Sequence, residues 1–335
     1  MTTSSIPLIN DKILDSGISL VLPIYAENSV LEETIISIRN QVKPFDEIII
    51  IDDNPKIQSR EKLIQDLLGK DVQFTYVKNS SNMGSAGSFN YGIGLSKGQT
   101  IVLCNDDDLF EPTRVQRVSN YVRANTSDVY WGFSSVECID NSGIAFDSEK
   151  VPGFLRAAIE ASSNPDSFHR KVKNMNPVIS TGNLFFSRKL WDKVGGFNVA
   201  LTHVHDWEFA TKLSVLSEPI YLGDEKYFYR IHPDNSFRKI KRKDTESQIT
   251  ILRMSCEDFV WSNGNLESVC NYFPELIIKA EGMEPSLSHH DSLNVAELRM
   301  LHLFNKLVQS ISANKVLFGA GKFVFGKIES LTSRR

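Results

Sequence analysis

An apolar run, Thr100-Ile-Val-Leu103, leads through Cys104 into Asn105-Asp106-Asp107-Asp108. Carboxylates at the end of a buried strand are costly without a partner. A hard divalent cation is the natural partner, because Mg²⁺ takes one or two carboxylates together with phosphate oxygens. The plainer reading is an exposed acidic turn that caps the next helix. Two more apolar runs end in acidic groups: Ile18–Leu22 leads into Pro23-Ile-Tyr-Ala-Glu27, and Glu47–Ile51 leads into Asp52-Asp53. Asp52 and Asp53 either accept hydrogen bonds from a ribose or base or simply end the strand, since Asp-Asn-Pro is turn chemistry. The turn Asn82-Met-Gly-Ser-Ala-Gly87 either lets backbone approach a nucleotide closely or is a plain strand-to-helix connection. It carries no GxGxxG pattern, so a dinucleotide fingerprint is not supported.

The elements that position these groups follow from periodicity. The runs at 18–22, 47–51, 72–77 and 100–103 read as buried strands. Helices are expected over 29–41, with Leu31, Ile35 and Ile38 on one face and a Ser29/Glu32 capping box, then near 59–68, after the turn at 82–87, and over 113–125. Strand–helix alternation implies parallel strands in a doubly wound α/β sheet, and ligands of such sheets sit outside the carboxyl ends of the strands. Three of those ends carry the polar clusters. Strands are expected at 129–133, 184–186, 220–222 and 227–230, and helices at 188–194 and 206–216. The polar, weakly periodic stretch 147–176 reads as a mobile loop, and 245–312 as helical.

The 335 residues carry 37 basic and 41 acidic side chains, a net charge of −4, with 41% apolar residues. That is the balance of an ordinary globular protein and argues against nucleic acid as the main partner. Cys104, Cys138, Cys256 and Cys270 form no CxxC pair and read as core residues of a reducing compartment. No apolar run reaches the ~18–20 residues of a membrane span. A cytoplasmic enzyme is expected, with the basic run 238–243 either a solvated face, a phosphate contact or a peripheral contact with an anionic membrane.

The ordered set of motifs resembles the family 2 glycosyltransferases of GT-A fold. Ser19-Leu-Val-Leu-Pro-Ile-Tyr-Ala-Glu27 is similar to the family's first strand, and Ile48-Ile-Ile-Ile-Asp-Asp53 to its nucleotide-contacting strand. Asn82-Met-Gly84 through Asn90 and Gly98 resembles the segment before the metal strand, and Asn105–Asp108 the DxD-type motif. Thr181-Gly182-Asn183, Gly195-Gly196-Phe197, His205-Asp206-Trp207-Glu208 and Tyr229-Arg230-Ile231-His232-Pro233 match later elements, so the resemblance spans roughly 17–236. The family's first DxD aspartate is here Asn105, and the residue before the base is His205.

The resemblance implies a mostly parallel sheet flanked by helices and inverting transfer of a sugar from a nucleotide-diphosphate donor to a glycan or lipid-linked hydroxyl, as in bacterial-type surface polysaccharide synthesis. It implies Asp206 as the base. Asp206 also opens a helix whose inward face carries Phe209 and Leu213. Asp107, Asp108 and His232 are the expected ligands of Mn²⁺ or Mg²⁺. Pro23, Tyr25, Glu27, Asp52, Asp53, Asn82, Gly84, Asn90, Asp106, Gly182 and Asn183 are expected around the nucleotide sugar, and His205 and Trp207 toward the acceptor. Trp207 either stacks on a sugar or belongs to the core, and Arg230 is a further candidate for phosphate. The alternatives are a sugar-1-phosphate nucleotidyltransferase, disfavoured by the lack of a glycine-rich phosphate loop, and a non-catalytic module of the same fold. The expected organisation is a lead-in at 1–16, a catalytic domain at 17–243, a helical extension at 244–312 that serves as brace or dimer surface, and at 313–335 the start of another α/β unit of a longer chain.

Overall fold

A computed structural model describes residues 17–25, 30–163, 168–172, 174–233, 235, 242–264, 268–269 and 272. By contact pattern the chain divides into Met1–Asp258 and Phe259–Arg335. Every element discussed below lies in the first unit except the end of the last helix. The lead-in at 1–16, Ser29 of the expected capping box, the basic run at 238–241 and the glycine-containing segment after 313 lie outside the described residues.

The first half alternates as expected: β1 (Ile18–Ile24), α1 (Val30–Arg39), β2 (Glu47–Asp52), α2 (Glu61–Leu68), β3 (Thr75–Lys78), α3 (Gly84–Leu95) and β4 (Thr100–Leu103). The two-residue β5 (Leu109–Phe110) and α4 (Arg114–Ala124) follow. Then come β6 (Trp131–Ile139), α5 (Gly153–Ser162), α6 (Phe168–Val172), β7 (Phe185–Ser187), α7 (Arg188–Val194), α8 (His205–Leu216), β8 (Pro219–Arg230) and α9 (Arg242–Asn263).

The strands form one sheet in the order β3-β2-β1-β4-β7-β6-β8-β5. The β3-β2-β1-β4 half is parallel, with Ile24 beside Asp52 and Val21 beside Leu103. Parallel register therefore delivers the ends of β1, β2 and β4 to one rim. β7 is antiparallel to β4 and β6, whereas β6 and β8 are parallel. The central strands are apolar on both faces, since helices cover both: Leu20, Val21, Leu22, Ile49, Ile50, Ile51, Ile101 and Val102 are inaccessible to solvent.

Two expectations need correction. The described residues within 147–176 are not one loop. They include α5 and α6: Leu155, Ala158 and Ala161 recur at helical spacing on one buried face, and Pro152 stands just before α5 begins. The runs at 220–222 and 227–230 are one strand, β8, whose pairing with β6 shifts register between Ser134 and Ser135. That irregularity hides the continuous strand from a period-2 reading.

Candidate active site

The rim is built by hydrogen bonds among the three strand ends. The Tyr25 amide donates to Asp106 Oδ2 at 2.8 Å, and Asn54 Nδ2 donates to the Tyr25 carbonyl at 3.0 Å. The Thr34 hydroxyl of α1 donates to the Asp108 carbonyl at 2.9 Å. Pro23 lies within β1 opposite Ile51, and Tyr25 stands exposed beyond it. Glu27 lies outside the described residues.

The three aspartates divide by side-chain direction. Asp106 is taken up by Tyr25. Asp107 Oδ2 lies 2.8 Å from His232 Nε2, and both side chains are only partly exposed. These two therefore share one edge of the rim although 125 positions separate them. Asp108 turns inward and is fully buried. It accepts from the Tyr227 hydroxyl at 2.6 Å, the Arg230 amide at 2.9 Å, Asn105 Nδ2 at 3.0 Å and the Ser180 hydroxyl at 3.3 Å. Burial, then the neighbouring Asp107 charge, push its carboxyl well above the usual range against those donors. Asp108 holds the turn in place, and its filled coordination does not match the ligand role expected of it. Asn105 is part of the same lock, donating also to Ser180 Oγ at 2.8 Å.

Arg230 is buried and does not face a phosphate. Its Nε donates to the Asp107 carbonyl at 2.8 Å, Nη1 to the Asp140 carbonyl at 2.8 Å, and Nη2 pairs with Glu33 at 2.7 Å. One guanidinium bond fixes the backbone of the aspartate turn, and the other two tie it to Asp140 and Glu33.

At the end of β2, Asp52 is enclosed by Arg60 Nη2 at 2.8 Å, the Tyr76 hydroxyl at 2.5 Å and Lys78 Nζ at 3.2 Å. Burial pushes its carboxyl up, but the Arg60 and Tyr76 hydrogen bonds and the Arg60 charge outweigh that and hold it below its ordinary value. Asp53 accepts from Asn79 Nδ2 at 2.7 Å and from the Met83 and Gly84 amides at 2.8 and 2.9 Å. It thus closes the exposed N–H groups at the start of α3, a cap supplied from another strand. Asn82 Oδ1 also accepts from Gly84, whose φ of 72° is the left-handed backbone that glycine tolerates. Asn90 pairs with the Phe197 backbone in both directions, and buried Asn183 exchanges bonds with the Ser134 backbone. Asp52, Asp53, Asn90 and Asn183 therefore shape the rim while their polar atoms are spent on the protein.

Asp206 lies in the first turn of α8, which Phe209 seats: its ring is 5.3 Å from Phe186 and 4.3 Å from Phe197. Burying a phenylalanine of this kind contributes about 1.5–3 kcal/mol. Asp206 is buried, with Asn176 Nδ2 donating to Oδ2 at 2.9 Å and the Trp207 amide to Oδ1 at 2.8 Å. Burial raises its carboxyl, opposed by the His205 ring and the Asn176 hydrogen bond. His205 contacts Thr181 Oγ1 at 3.1 Å and Ser85 Oγ at 3.4 Å, and burial lowers its pKa, so the ring is neutral near pH 7. The Trp207 indole N–H donates to the Val172 carbonyl of α6, a packing role.

Asp206 and the aspartate turn are bridged by one segment, 176–183: Asn176 reaches Asp206, Ser180 reaches Asp108, and Thr181 reaches His205. Tyr229, next to Arg230, has its hydroxyl pushed well up, first by burial and then by the charges of Asp108, Asp107 and Asp206. Gly182 sits where a Cβ would lie 2.6 Å from the Asn105 nitrogen and closer still to the Tyr227 hydroxyl, so the segment packs directly on the aspartate turn. Sequence reasoning missed Asn176, Ser180 and Tyr227, which carry no motif. Only the pairing of strands 70 and 120 residues apart brings them here.

A metal site was tested on this geometry. Among the described residues no cluster of three or more His, Cys, Asp or Glu side chains surrounds one point. Asp107 and His232 do converge, and two protein ligands suit a cation completed by diphosphate oxygens rather than one caged by protein. No helix among the described residues is long and apolar enough to cross a membrane.

The profile of Glycosyl transferase family 2 matches residues 19–194, just over half the chain. An uncharacterized glycosyltransferase of Haemophilus influenzae is 23% identical over 70% of this chain and 76% of its own length. One from Methanocaldococcus jannaschii is 32% identical over 38% of this chain, and the match spans 43% of that relative. Among solved structures, S. aureus TarS 1-349 in complex with UDP-GlcNAc superposes with a TM-score of 0.52 at 12% identity, over 81% of this chain and 76% of that one. The complex with UDP gives 0.50 at 13% identity. These likenesses establish the fold, a mixed and mostly parallel GT-A type sheet flanked by helices.

Proposed function

This chain belongs to glycosyl transferase family 2, and we propose from that premise that it moves a sugar from a nucleoside-diphosphate donor to a hydroxyl of a glycan or lipid-linked glycan, with inversion at the anomeric carbon. The observation that carries the reading is the 176–181 segment, which bonds Asp206 at one end and the aspartate turn at the other, beside the Asp107–His232 pair. A nucleotide sugar is the class bound by the S. aureus neighbour, as UDP-GlcNAc; we extend the class to this chain, and neither the sugar nor the base.

In this reading Asp206 Oδ accepts the proton of the acceptor hydroxyl as that oxygen attacks C1 of the donor, and the C1–O bond to the diphosphate breaks on the opposite face. Burial makes Asp206 a stronger base than an exposed aspartate, since it brings the carboxyl nearer the working pH. Asp107 and His232 would hold Mn²⁺ or Mg²⁺ at the diphosphate end, where the cation would supply charge neutralisation for the leaving group. Asp53 and Asn82 fix the start of α3, and Asp106 fixes Tyr25, so the donor meets a preformed rim. Holding both reactants in line supplies much of the rate. His205, neutral and buried, supports the rim by its contact with Thr181. The acceptor reading includes surface polysaccharide synthesis at the cytoplasmic side of a membrane, with the basic run at 238–243 as the contact.

The test is a panel of UDP-, GDP- and dTDP-sugars with Mn²⁺ or Mg²⁺, scored for release of nucleoside diphosphate, followed by NMR of the anomeric proton of the product. Cation-dependent turnover of one donor class with inverted configuration supports the reading. A retained configuration, or no turnover with any donor and acceptor glycan, contradicts it.

A further inference from the structure

We propose that Asn176 is a positioning residue for the base: its amide fixes the Asp206 carboxylate, and through the 176–181 segment it sets the base against the aspartate turn. The inference rests on the reading of Asp206 as the base and adds a residue that no motif marks. Three observations carry it. First, Asn176 Nδ2 donates to Asp206 Oδ2 at 2.9 Å, the one side-chain donor to that carboxylate among the described residues. The Trp207 amide takes Oδ1. Both carboxylate oxygens are thus held by donors on the protein.

Second, Asn176 is held itself. Its Oδ1 accepts from the Val178 amide at 3.3 Å, which leaves its N–H₂ end aimed at Asp206. Third, the segment that follows is strained and tied down. Ile179 has φ of 68°, the only positive φ at a non-glycine among the described residues. A β-branched residue there is strained and persists only where the surroundings force it. What forces it here is the grip of Ser180 on Asp108 and Asn105, and of Thr181 on His205. The strap thus couples the base on α8 to the turn after β4 through four side-chain contacts within six residues.

The titratable groups facing Asp206 are His205 on its own helix and Tyr229 from β8. Neither is a substitute donor in the position of Asn176. Losing that donor removes a hydrogen bond to the charged form, so the carboxyl binds its proton more tightly and the base is lost at a higher pH.

The experiment uses Asn176→Ser and Asn176→Ala in the full chain. Serine keeps an acceptor for the Val178 amide as an ST turn and is too short to reach Asp206. We expect kcat to fall about tenfold with KM for the nucleotide sugar unchanged, and the acidic limb of the kcat/KM profile to move to higher pH in both variants. The melting temperature of Asn176→Ser stays close to the parent's, which separates positioning from folding. A profile parallel to the parent's, with any loss of activity uniform across pH and matched by lost stability, overturns the proposal. Asp206→Asn is run beside them. If it retains turnover, the reading of the base has failed; if it is dead while Asn176→Ser keeps the parental profile, the base stands and only the role of Asn176 is overturned.

Discussion

Gly182→Ala places a methyl group against the aspartate turn, and its cost can be worked from the contacts. The new carbon would lie 2.6 Å from the Asn105 nitrogen and 3.1 Å from the Cys104 carbonyl carbon, with the Tyr227 hydroxyl nearer than either. Something must yield by about 1 Å to restore ordinary van der Waals spacing. Two of the three atoms are backbone. The third ends a fully buried ring packed 5.9 Å from Phe110 and lying under the Arg114 guanidinium, so it cannot swing aside. Overpacking of this kind costs about 1–3 kcal/mol. Displacing the Tyr227 hydroxyl also takes a donor from buried Asp108, worth about 1.5–3 kcal/mol for a charged acceptor. The sum, roughly 2.5–6 kcal/mol, is a large share of a typical 5–15 kcal/mol stability. At about 2–4 °C per kcal/mol for a domain near this size, calorimetry should find Tm lower by at least ~5 °C. Donor turnover should fall as Asp107 shifts with its turn. A Tm within about 2 °C of the parent with unchanged turnover refutes the claim that this glycine exists to let 181–183 pack on the turn.

Asp52→Asn leaves Arg60 and Lys78 without their buried partner and should cost about 3–5 kcal/mol, read by urea unfolding. Because the Asp52 carboxyl is held below its ordinary value, its stabilising contribution is full above the unfolded pKa of 3.8 and is lost as pH falls through the folded value, so the deficit of the variant should shrink in acid. Asp206 has the opposite sign: its folded pKa is raised, so ionising it costs stability as pH rises above 3.8. Asp206→Asn should therefore melt at or above the parental Tm at pH 7 while losing transfer by about a thousandfold or more, and a clearly lower Tm at pH 7 would count against the burial argument. For the parent, the acidic limb of kcat/KM should lie above pH 3.8. Asp107→Ala should weaken cation-dependent binding of a nucleoside diphosphate at least about tenfold in calorimetry, and equal affinity with and without Mn²⁺ would place the cation elsewhere.

How much of this was legible beforehand differs by residue. The ends of β1, β2 and β4 were legible because strand–helix alternation forces parallel register, and parallel register forces their carboxyl ends together. Asp206 was legible as a base through the motif resemblance, and its seven-residue spacing to Leu213 put it on the buried face of α8. The division of labour within Asp106–Asp108 was not. Which of three adjacent carboxylates turns inward is decided by Tyr227 and Arg230, some 120 residues away, and no local pattern reports that. Asp53 looked like a ligand for a ribose, yet its oxygens face the amides that open α3. Helix α5 was hidden because its buried stripe, Leu155, Ala158 and Ala161, is short and mostly alanine. The strap at 176–181 was hidden for a different reason: its importance lies in contacts to two distant elements, and its own residues are ordinary loop chemistry.

The central claim is that Asp107 and His232 grip the diphosphate end of a cleft whose far side is Asp206. Crystals grown with Mn²⁺ and a nucleoside diphosphate test it by anomalous scattering. The account predicts a manganese peak between Asp107 and His232, in contact with diphosphate oxygens, with open space from there to the Asp206 carboxylate. A peak bound by other residues, or protein filling the gap between the diphosphate and Asp206, contradicts it.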